Sequence, residues 1–301
     1  MKSLILYFTG TYNTRYLANK LKERLIDNKE VTLFEVNSSN FDNVIDLNAF
    51  DNIFISYPIY AFNIPSYFYK YLKKLIFIKG KKYFIFKNSG ETFALNDVSS
   101  RRLIRLLKRK GISEYSEYHF VMPYNIHFKF DDQFLYQCLK YNEKLMEIML
   151  YDLKNNIYRK NKNNIFYVIA AYFLRIQSIG GTINSYFYKV DKAKCNKCQL
   201  CINTCPIKNI YINKKDKIKF KHNCLMCMRC SFNCPKNAIN IGFLEGWKVN
   251  KPYDFKHILD NEANYKNKDY LKDNNEFFYK CFKKSFKEVD ELYEETIAKK
   301  V

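Results

Sequence analysis

The stretch Cys195-Asn-Lys-Cys-Gln-Leu-Cys-Ile-Asn-Thr-Cys-Pro206 decides how this chain is organised. Its four cysteines have two, two and three residues between them, and a proline follows the last. The same pattern returns as Cys224-Leu-Met-Cys-Met-Arg-Cys-Ser-Phe-Asn-Cys-Pro235. A motif and its copy therefore hold eight of the ten cysteines, which indicates two related half-domains, each a loop, a short helical turn and a strand.

This spacing is typical of cysteines that ligate two [4Fe–4S] clusters. Each iron needs one thiolate, and the fourth cysteine of a run cannot reach the cube that its three neighbours hold. We predict these ligands: Cys195, Cys198, Cys201 and Cys234 for cluster I, and Cys205, Cys224, Cys227 and Cys230 for cluster II. A disulfide scaffold would need an oxidising compartment, and zinc sites need only two pairs of ligands, so both alternatives explain the cysteine triplets less well.

Length and charge set further bounds. The chain has 301 residues, which is more than two cluster-binding half-domains need, so we expect at least two domains. Its formal charge is +21, from 51 Lys and Arg against 30 Asp and Glu. Such a surface favours an acidic partner, an anionic membrane or nucleic acid, although AT-rich coding produces the same composition. No nucleic-acid motif accompanies the charge, so we expect no nucleic-acid partner.

We expect a cytoplasmic protein without a transmembrane segment. No apolar run reaches the roughly 18 residues that a spanning helix needs. The chain opens on Met1-Lys2-Ser3 and leads at once into an apolar strand, so we see no signal peptide. Free thiols and iron–sulfur chemistry agree with a reducing compartment.

The first 157 residues alternate between two periodicities. Apolar runs predict strands at 2–8, 31–36, 51–57, 82–87 and 118–122. Helical spacing marks 66–78, 97–109 and 131–157, and a further helix carries Tyr16, Leu17, Leu21 and Leu25. Five strands alternating with helices predict an α/β fold with a doubly wound, five-stranded parallel sheet covered on both faces. Ligands of such folds bind outside the carboxyl ends of the strands.

The loop after the first strand is a candidate phosphate site. It consists of Thr9, Gly10, Thr11, Tyr12, Asn13 and Thr14, and it joins a strand to the start of a helix. Amides at a helix N-terminus donate to anions, and threonine hydroxyls add donors. The loop has no lysine, which argues against a nucleotide triphosphate site. An ordinary turn capped by Asn13 or Thr14 is the alternative.

With these motifs, residues 1–155 resemble flavodoxins, whose first loop reads roughly Ser/Thr-x-Thr-Gly-Asn-Thr and holds the FMN phosphate. Two further loops match those that contact the flavin ring in this family: Pro58, Ile59, Tyr60, Ala61 and Phe62, and then Asn88, Ser89, Gly90 and Glu91. The resemblance implies an FMN-binding domain. Tyr12 stands where the family usually has glycine, and a site that needs a positive φ would strain it. The alternatives are that Tyr12 caps the site, or that flavin binding is weakened or lost.

Residues 190–241 resemble bacterial ferredoxins with two [4Fe–4S] clusters. The whole order resembles flavodoxin–ferredoxin fusion proteins of anaerobic bacteria and archaea. We expect a flavodoxin-like domain at 1–157, a helical connector at 158–189, a two-cluster ferredoxin domain at 190–245, and an extension at 246–301 that ends in an amphipathic helix. The apolar part of the connector, 165–188, is expected to pack between the domains, with peripheral membrane contact as the alternative.

The resemblance implies an electron-transfer protein that passes electrons between two [4Fe–4S] clusters and FMN. Its redox partner would be an acidic ferredoxin or an oxidoreductase. One alternative is a flavin-dependent oxidoreductase that reduces a quinone or another small molecule, and another is a redox sensor with an empty flavodoxin domain. No dedicated acid, base or NAD(P) motif is evident, so we assign no catalytic residue.

Overall fold

The structure is a computed structural model that describes residues 1–25, 30–161, 164–249, 252–274 and 276–298. Lys162 and Asn163, within the predicted connector, lie outside the described residues, and so do parts of the predicted C-terminal extension.

A five-stranded parallel sheet forms the centre of the first domain. Its strands are β1 (Ser3–Tyr7), β2 (Val31–Glu35), β3 (Asn52–Pro58), β4 (Lys82–Ser89) and β5 (Tyr115–Val121). Their spatial order is β2-β1-β3-β4-β5, and every neighbouring pair is parallel. This is the flavodoxin-like order of doubly wound sheets, with its switch point between β1 and β3. The predicted fold class of this domain is confirmed.

Helices cover both faces of the sheet because side chains alternate along each strand. On one face, α1 (Asn13–Leu25) and α5 (Asp132–Asn155) pack with Ile5 and Phe54. On the other face, α2 (Ser66–Leu72) and α4 (Arg101–Arg109) pack with Leu6 and Ile55. The two apolar layers leave the carboxyl edge of the sheet as the place where loops meet.

Two predicted helices are shorter than expected. The helix predicted at 97–109 is divided into α3 (Ala94–Asp97), a 3-10 turn (Val98–Ser100) and α4. The carbonyl of Asp97 accepts a 2.7 Å bond from Lys87 Nζ, which takes that acceptor away from the α-helical ladder. The helix predicted at 66–78 ends at Leu72, where the α-helical bonds give way to tighter turns: the Lys74 amide donates to the Tyr71 carbonyl at 2.9 Å, and the Leu75 amide donates to the Leu72 carbonyl at 3.2 Å.

The tail packs on the first domain. The segments α10 (Phe255–Asp260), α11 (Tyr270–Asp273) and α12 (Lys280–Thr296) all contact α5. Within α12, Phe282 is fully buried, and the Phe286 ring lies 4.3 Å from that of Tyr141. The tail helix α12 therefore packs with its apolar side chains against α5 of the first domain.

Residues 188–241 form two small antiparallel ribbons. In one, β6 (Tyr188–Val190) pairs with β9 (Ile239–Ile241); in the other, β7 (Ile210–Ile212) pairs with β8 (Ile218–Phe220). One-turn helices, α8 (Leu200–Asn203) and α9 (Arg229–Phe232), lie within the two cysteine runs. This unit is seated over the carboxyl edge of the large sheet.

The connector is helical from Ile165 onward, and it is not buried between the domains as the sequence led us to expect. It forms α6 (Ile165–Leu174), α7 (Gln177–Asn184) and a 3-10 turn (Ser185–Phe187). Phe166 and Phe173 are 69% and 70% exposed. The two units touch each other directly, so the connector lies outside their contact. Contrary to the sequence expectation, Ile165–Phe187 is long and apolar enough to count as a candidate membrane span.

Candidate functional site

The backbone repeats the symmetry of the cysteine runs. Cys195 and Cys224 are 29 residues apart, and so are the other three cysteine pairs. At the same interval, Lys197 and Met226 have φ of 58° and 52°, and Gln199 and Met228 have 59° and 60°. Left-handed backbone outside glycine is uncommon, and two matched pairs indicate that both runs fold into the same loop.

The structure brings together the four thiols predicted for cluster I. Cys195, Cys198, Cys201 and Cys234 line one cavity, whose apolar wall includes Val190, Ile218 and Ile239. Cys234 comes from the second run, as the crossing pattern predicts. The amide of Ala238 donates to Cys234 Sγ at 3.2 Å.

Three cysteines predicted for cluster II, Cys205, Cys224 and Cys230, pack against the same small apolar cluster, and Cys227 is buried. Burial raises the pKa of Cys230, and the nearby Cys227, Cys224 and Cys205 raise it further. Here the amide of Asn209 donates to Cys205 Sγ at 3.2 Å, which repeats the Ala238 contact 29 residues earlier. Iron bound at these sulfurs would lower the pKa of the thiols instead, because thiols that coordinate a metal are deprotonated.

Among the described residues, no group of three or more His, Cys, Asp or Glu side chains converges closely enough for a single metal ion. A four-iron cube does not need such convergence, since each thiolate binds a different iron. The cluster assignment therefore remains a prediction, and the thiol geometry is compatible with it.

The three loops singled out from the sequence meet at the carboxyl edge of the sheet. Thr14 Oγ1 donates to Asn88 Oδ1 at 2.8 Å, and the Ile59 amide donates to the Asn88 carbonyl at 2.8 Å. A Cβ on Gly10 would stand 2.2 Å from the Tyr60 hydroxyl, so only glycine fits there.

The second and third loops are turns. Ala61 and Phe62 have φ of 47° and 55° between the paired Tyr60 and Asn63, as in a tight turn with two left-handed residues. Pro58 ends strand β3 just before this turn.

In the third loop, Ser89 Oγ donates to the Glu91 carbonyl at 2.6 Å. Gly90 lies against the Tyr124 ring, since a Cβ there would come within 2.3 Å of it. The Tyr124 hydroxyl donates to the Glu91 carboxylate. Glu91 is therefore engaged with Tyr124.

Tyr12 has a positive φ, as a position does where flavodoxins usually have glycine. Its φ is 72°. The ring stacks against the guanidinium groups of Arg15 and Arg229, at 4.8 and 5.1 Å from its centroid. Its hydroxyl accepts a 3.1 Å bond from Asn233 Nδ2. Cation–π contacts of about 0.5–2 kcal/mol each offset a left-handed backbone cost of about 1–2 kcal/mol.

Arg229 fastens the second cysteine run to the first loop. Its Nε donates to the Gly10 carbonyl at 2.6 Å, and its Nη2 donates to the Thr9 carbonyl at 2.5 Å. Nη1 donates to the Thr204 carbonyl at 3.2 Å, in the first cysteine run. The side chain is 6% exposed and pairs with Glu35 at 3.3 Å. One buried guanidinium thus joins the sheet edge to both runs.

Two more residues complete this contact. Asn125 Nδ2 lies 3.2 Å from Thr11 Oγ1 and 3.3 Å from the Cys227 carbonyl, and it donates to both. Glu35 accepts from Arg15 Nε at 2.9 Å and from the Tyr7 hydroxyl at 3.3 Å. Burial, followed by the Glu35 charge, raises the pKa of Tyr7 to about 12.

Sequence reasoning missed Arg229, Asn125 and Glu35. A signal for Arg229 was present: the first run has Leu200, 29 residues earlier, at the equivalent position. A charged residue at one of two otherwise matched positions indicates a contact that only one half of the repeat makes.

Some features of the first loop favour FMN binding and others oppose it. The buried Thr9 Oγ1 has no partner among the described residues, and the first amides of α1 have no acceptor inside the helix. However, the Cys227 carbonyl and Arg229 lie on the loop, and Tyr60 sits directly on Gly10. Donors for a phosphate exist, but the Tyr60 hydroxyl, the Cys227 carbonyl and the Arg229 side chain occupy the space beside Gly10 in this arrangement. We therefore derive no chemistry through FMN.

No protein-family model matches the chain. A 30-residue segment, 10% of the chain, is 47% identical to 6-hydroxynicotinate reductase of Eubacterium barkeri, and it spans only 6% of that protein.

The similar solved structures include flavodoxins and other flavoproteins. A flavodoxin of Streptococcus pneumonia TIGR4 aligns with 49% of this chain and 99% of its own, at 19% identity and a TM-score of 0.33. A flavoprotein of Bacteroides uniformis aligns with 40% of this chain and 92% of its own, at 17% identity and a TM-score of 0.32. These scores are low, and the fold assignment rests on the strand order.

Proposed function

We propose that this chain is an electron-transfer protein that binds two [4Fe–4S] clusters and holds cluster II against the carboxyl edge of a flavodoxin-like domain. The observation that carries the proposal is the cavity lined by three cysteines of one run and Cys234 of the other. The repeated loop conformation and the matched amide–sulfur contacts support the same arrangement for the second set.

The two sites would differ in accessibility. Cys198, a predicted ligand of cluster I, is exposed, whereas Cys227, a predicted ligand of cluster II, is 8% exposed. Electrons would be exchanged with a partner at cluster I and passed on to cluster II. Each cluster accepts or releases one electron, and no proton or bond change is needed.

The partner would be an acidic protein, such as an acidic ferredoxin or an oxidoreductase. Between positions 189 and 221 the chain has ten lysines and only two acidic residues, Asp191 and Asp216. Such a surface steers an oppositely charged protein toward the exposed cluster. None of the ten cysteines forms a disulfide, and we propose a reducing location, the cytoplasm.

The second candidate is an iron–sulfur flavoprotein in which FMN joins the clusters. The buried, unpartnered Thr9 Oγ1 and the open amides at the start of α1 favour it. FMN would require the segment that carries Cys227 and Arg229 to withdraw from the loop. The Arg229→Met substitution removes the contact that keeps the segment in place, so it should increase FMN binding if the loop is a covered flavin site.

The test is anaerobic purification followed by quantitation of iron, sulfide and flavin, before and after FMN is added. About eight irons without flavin support the first candidate, and about eight irons with one FMN support the second. Protein that folds but holds no iron after anaerobic reconstitution refutes both. The Cys281→Ser variant is the matched control: Cys281 lies outside the runs and contacts the Phe278 carbonyl, so iron content should not change.

A further inference from the structure

One face of the molecule exposes far more apolar surface than its surroundings. We call it the connector face. It comprises these side chains, each at least 43% exposed: Ile165, Phe166, Ile169, Tyr172, Phe173, Ile176, Ile179, Ile183, Tyr186, Phe187 and Phe243. The Phe187 and Phe243 rings lie 4.3 Å apart, which joins the connector to the unit with the cysteine runs. A contiguous apolar patch of this kind marks an interaction site.

The connector face is fixed to the body from beneath. Ala171 is fully buried, and a Cβ on Gly181 would come within 2.3 Å of Met226 Sδ. Asn184 donates to the Ile241 carbonyl at 2.8 Å and accepts from the Phe243 amide at 2.9 Å. These contacts hold the connector along the surface. To cross a bilayer it would have to break them and straighten the turn at Arg175.

Arginines border the connector face: Arg175 ends α6, and α6 contacts the 3-10 turn Val98–Ser100, from which α4 begins with Arg101 and Arg102. Burial, followed by the charges of Arg102, Arg101 and Arg105, lowers the pKa of Arg175. Arg175 Nε is buried and has no hydrogen-bond acceptor among the described residues. Residues 98–113 and 158–190 contain no Asp or Glu, so both segments that form this region are purely cationic.

We propose that the connector face binds the surface of an anionic phospholipid bilayer. The aromatic and isoleucine side chains would enter the boundary between headgroups and acyl chains, and the guanidinium groups would bind lipid phosphates. Charge complementarity selects this partner. A second copy of the chain would bring two arginine clusters together, and like charges at an interface oppose association.

The test is co-sedimentation of the full iron-loaded chain with vesicles of phosphatidylcholine, with and without phosphatidylglycerol. We expect binding to the anionic vesicles that weakens with salt. Phe166→Ser with Phe173→Ser should lower the partition coefficient at least about ten-fold. The matched control is Phe277→Ser, which alters a phenylalanine that is 83% exposed outside the connector face and should leave binding unchanged.

A second pair of variants tests the charges separately. Arg101→Gln with Arg105→Gln should weaken binding at low salt and match the parent at high salt, because screening removes the same interaction. Iron content and the visible spectrum report that each variant is folded.

Three outcomes would overturn the proposal. They are absence of binding to anionic vesicles, equal binding to neutral vesicles, and a lipid-free dimer that the phenylalanine substitutions dissociate.

Discussion

Replacement of Arg229 by methionine should weaken the attachment of the second cysteine run to the first loop without unfolding the chain. The change removes donors from the carbonyls of Thr9, Gly10 and Thr204 and leaves Glu35 without one of its cations. A hydrogen bond from a charged group contributes about 1.5–3 kcal/mol. Two such bonds at the lower end amount to about 3 kcal/mol of local opening free energy.

Native-state hydrogen exchange on the iron-loaded protein measures that opening. If exchange requires the second cysteine run to separate from the first loop, lowering the opening free energy by about 3 kcal/mol speeds exchange about a hundred-fold. The acceleration should be confined to residues 9–14 and 224–233. Amides of the central sheet, such as that of Phe84, should exchange at parental rates.

Arg24→Met provides the control. Arg24 lies in the last turn of α1, donates to the Glu143 carbonyl at 3.2 Å and pairs with Glu147 at 3.5 Å. Its loss should leave exchange at 224–233 unchanged. If Arg229→Met keeps its iron and exchanges at the parental rate in both segments, the role of Arg229 as the fastening residue is wrong.

Two further predictions concern the crossing ligands and acid stability. Because Cys234 is assigned to the same cluster as Cys198, the iron content should fall to about four per chain in C234S and should fall no further in C198S/C234S. In C227S/C234S, which removes a ligand from each cluster, it should fall to nearly none. Iron assay and EPR measure this, and the reverse pattern in the two double variants would mean that each run holds its own cube. Burial and the charge of Lys87 lower the pKa of His119 to about 3. Below about pH 6.5 the unfolded chain therefore binds a proton that folded His119 does not, and stability should fall toward pH 3 by up to about 1.4 kcal/mol per unit. In urea titrations, the free energy of unfolding of His119→Gln should lack this part of the fall with pH. Equal dependence of that free energy on pH in the parent and the variant would contradict the assignment.

The sheet could be predicted from the sequence because each strand is a short apolar run between turns. Strand β3, for example, reads Asn-Ile-Phe-Ile-Ser-Tyr-Pro and is almost wholly buried. The pairing of Cys234 with the first run follows from how far a chain can reach around a cube, which is also a local argument.

Other features depend on contacts between distant residues. Arg229 and Thr9 are 220 positions apart, and no local pattern links them. The break between α3 and α4 depends on Lys87 from a neighbouring strand. The connector remains exposed because the two units meet without it, although its composition is that of a core segment.

Arg229 stands between Cys227 and Cys230, so the residue that grips the sheet edge shares one short loop with two predicted iron ligands. Metal binding and folding are coupled, so a bound cluster would order that loop. The ordered loop would at the same time bind to the first domain through Arg229. A chain short of iron would leave the end of its sheet uncovered, and a loaded chain would close it. The supply of iron would thereby be converted into a difference in shape that other proteins, including proteases, can detect.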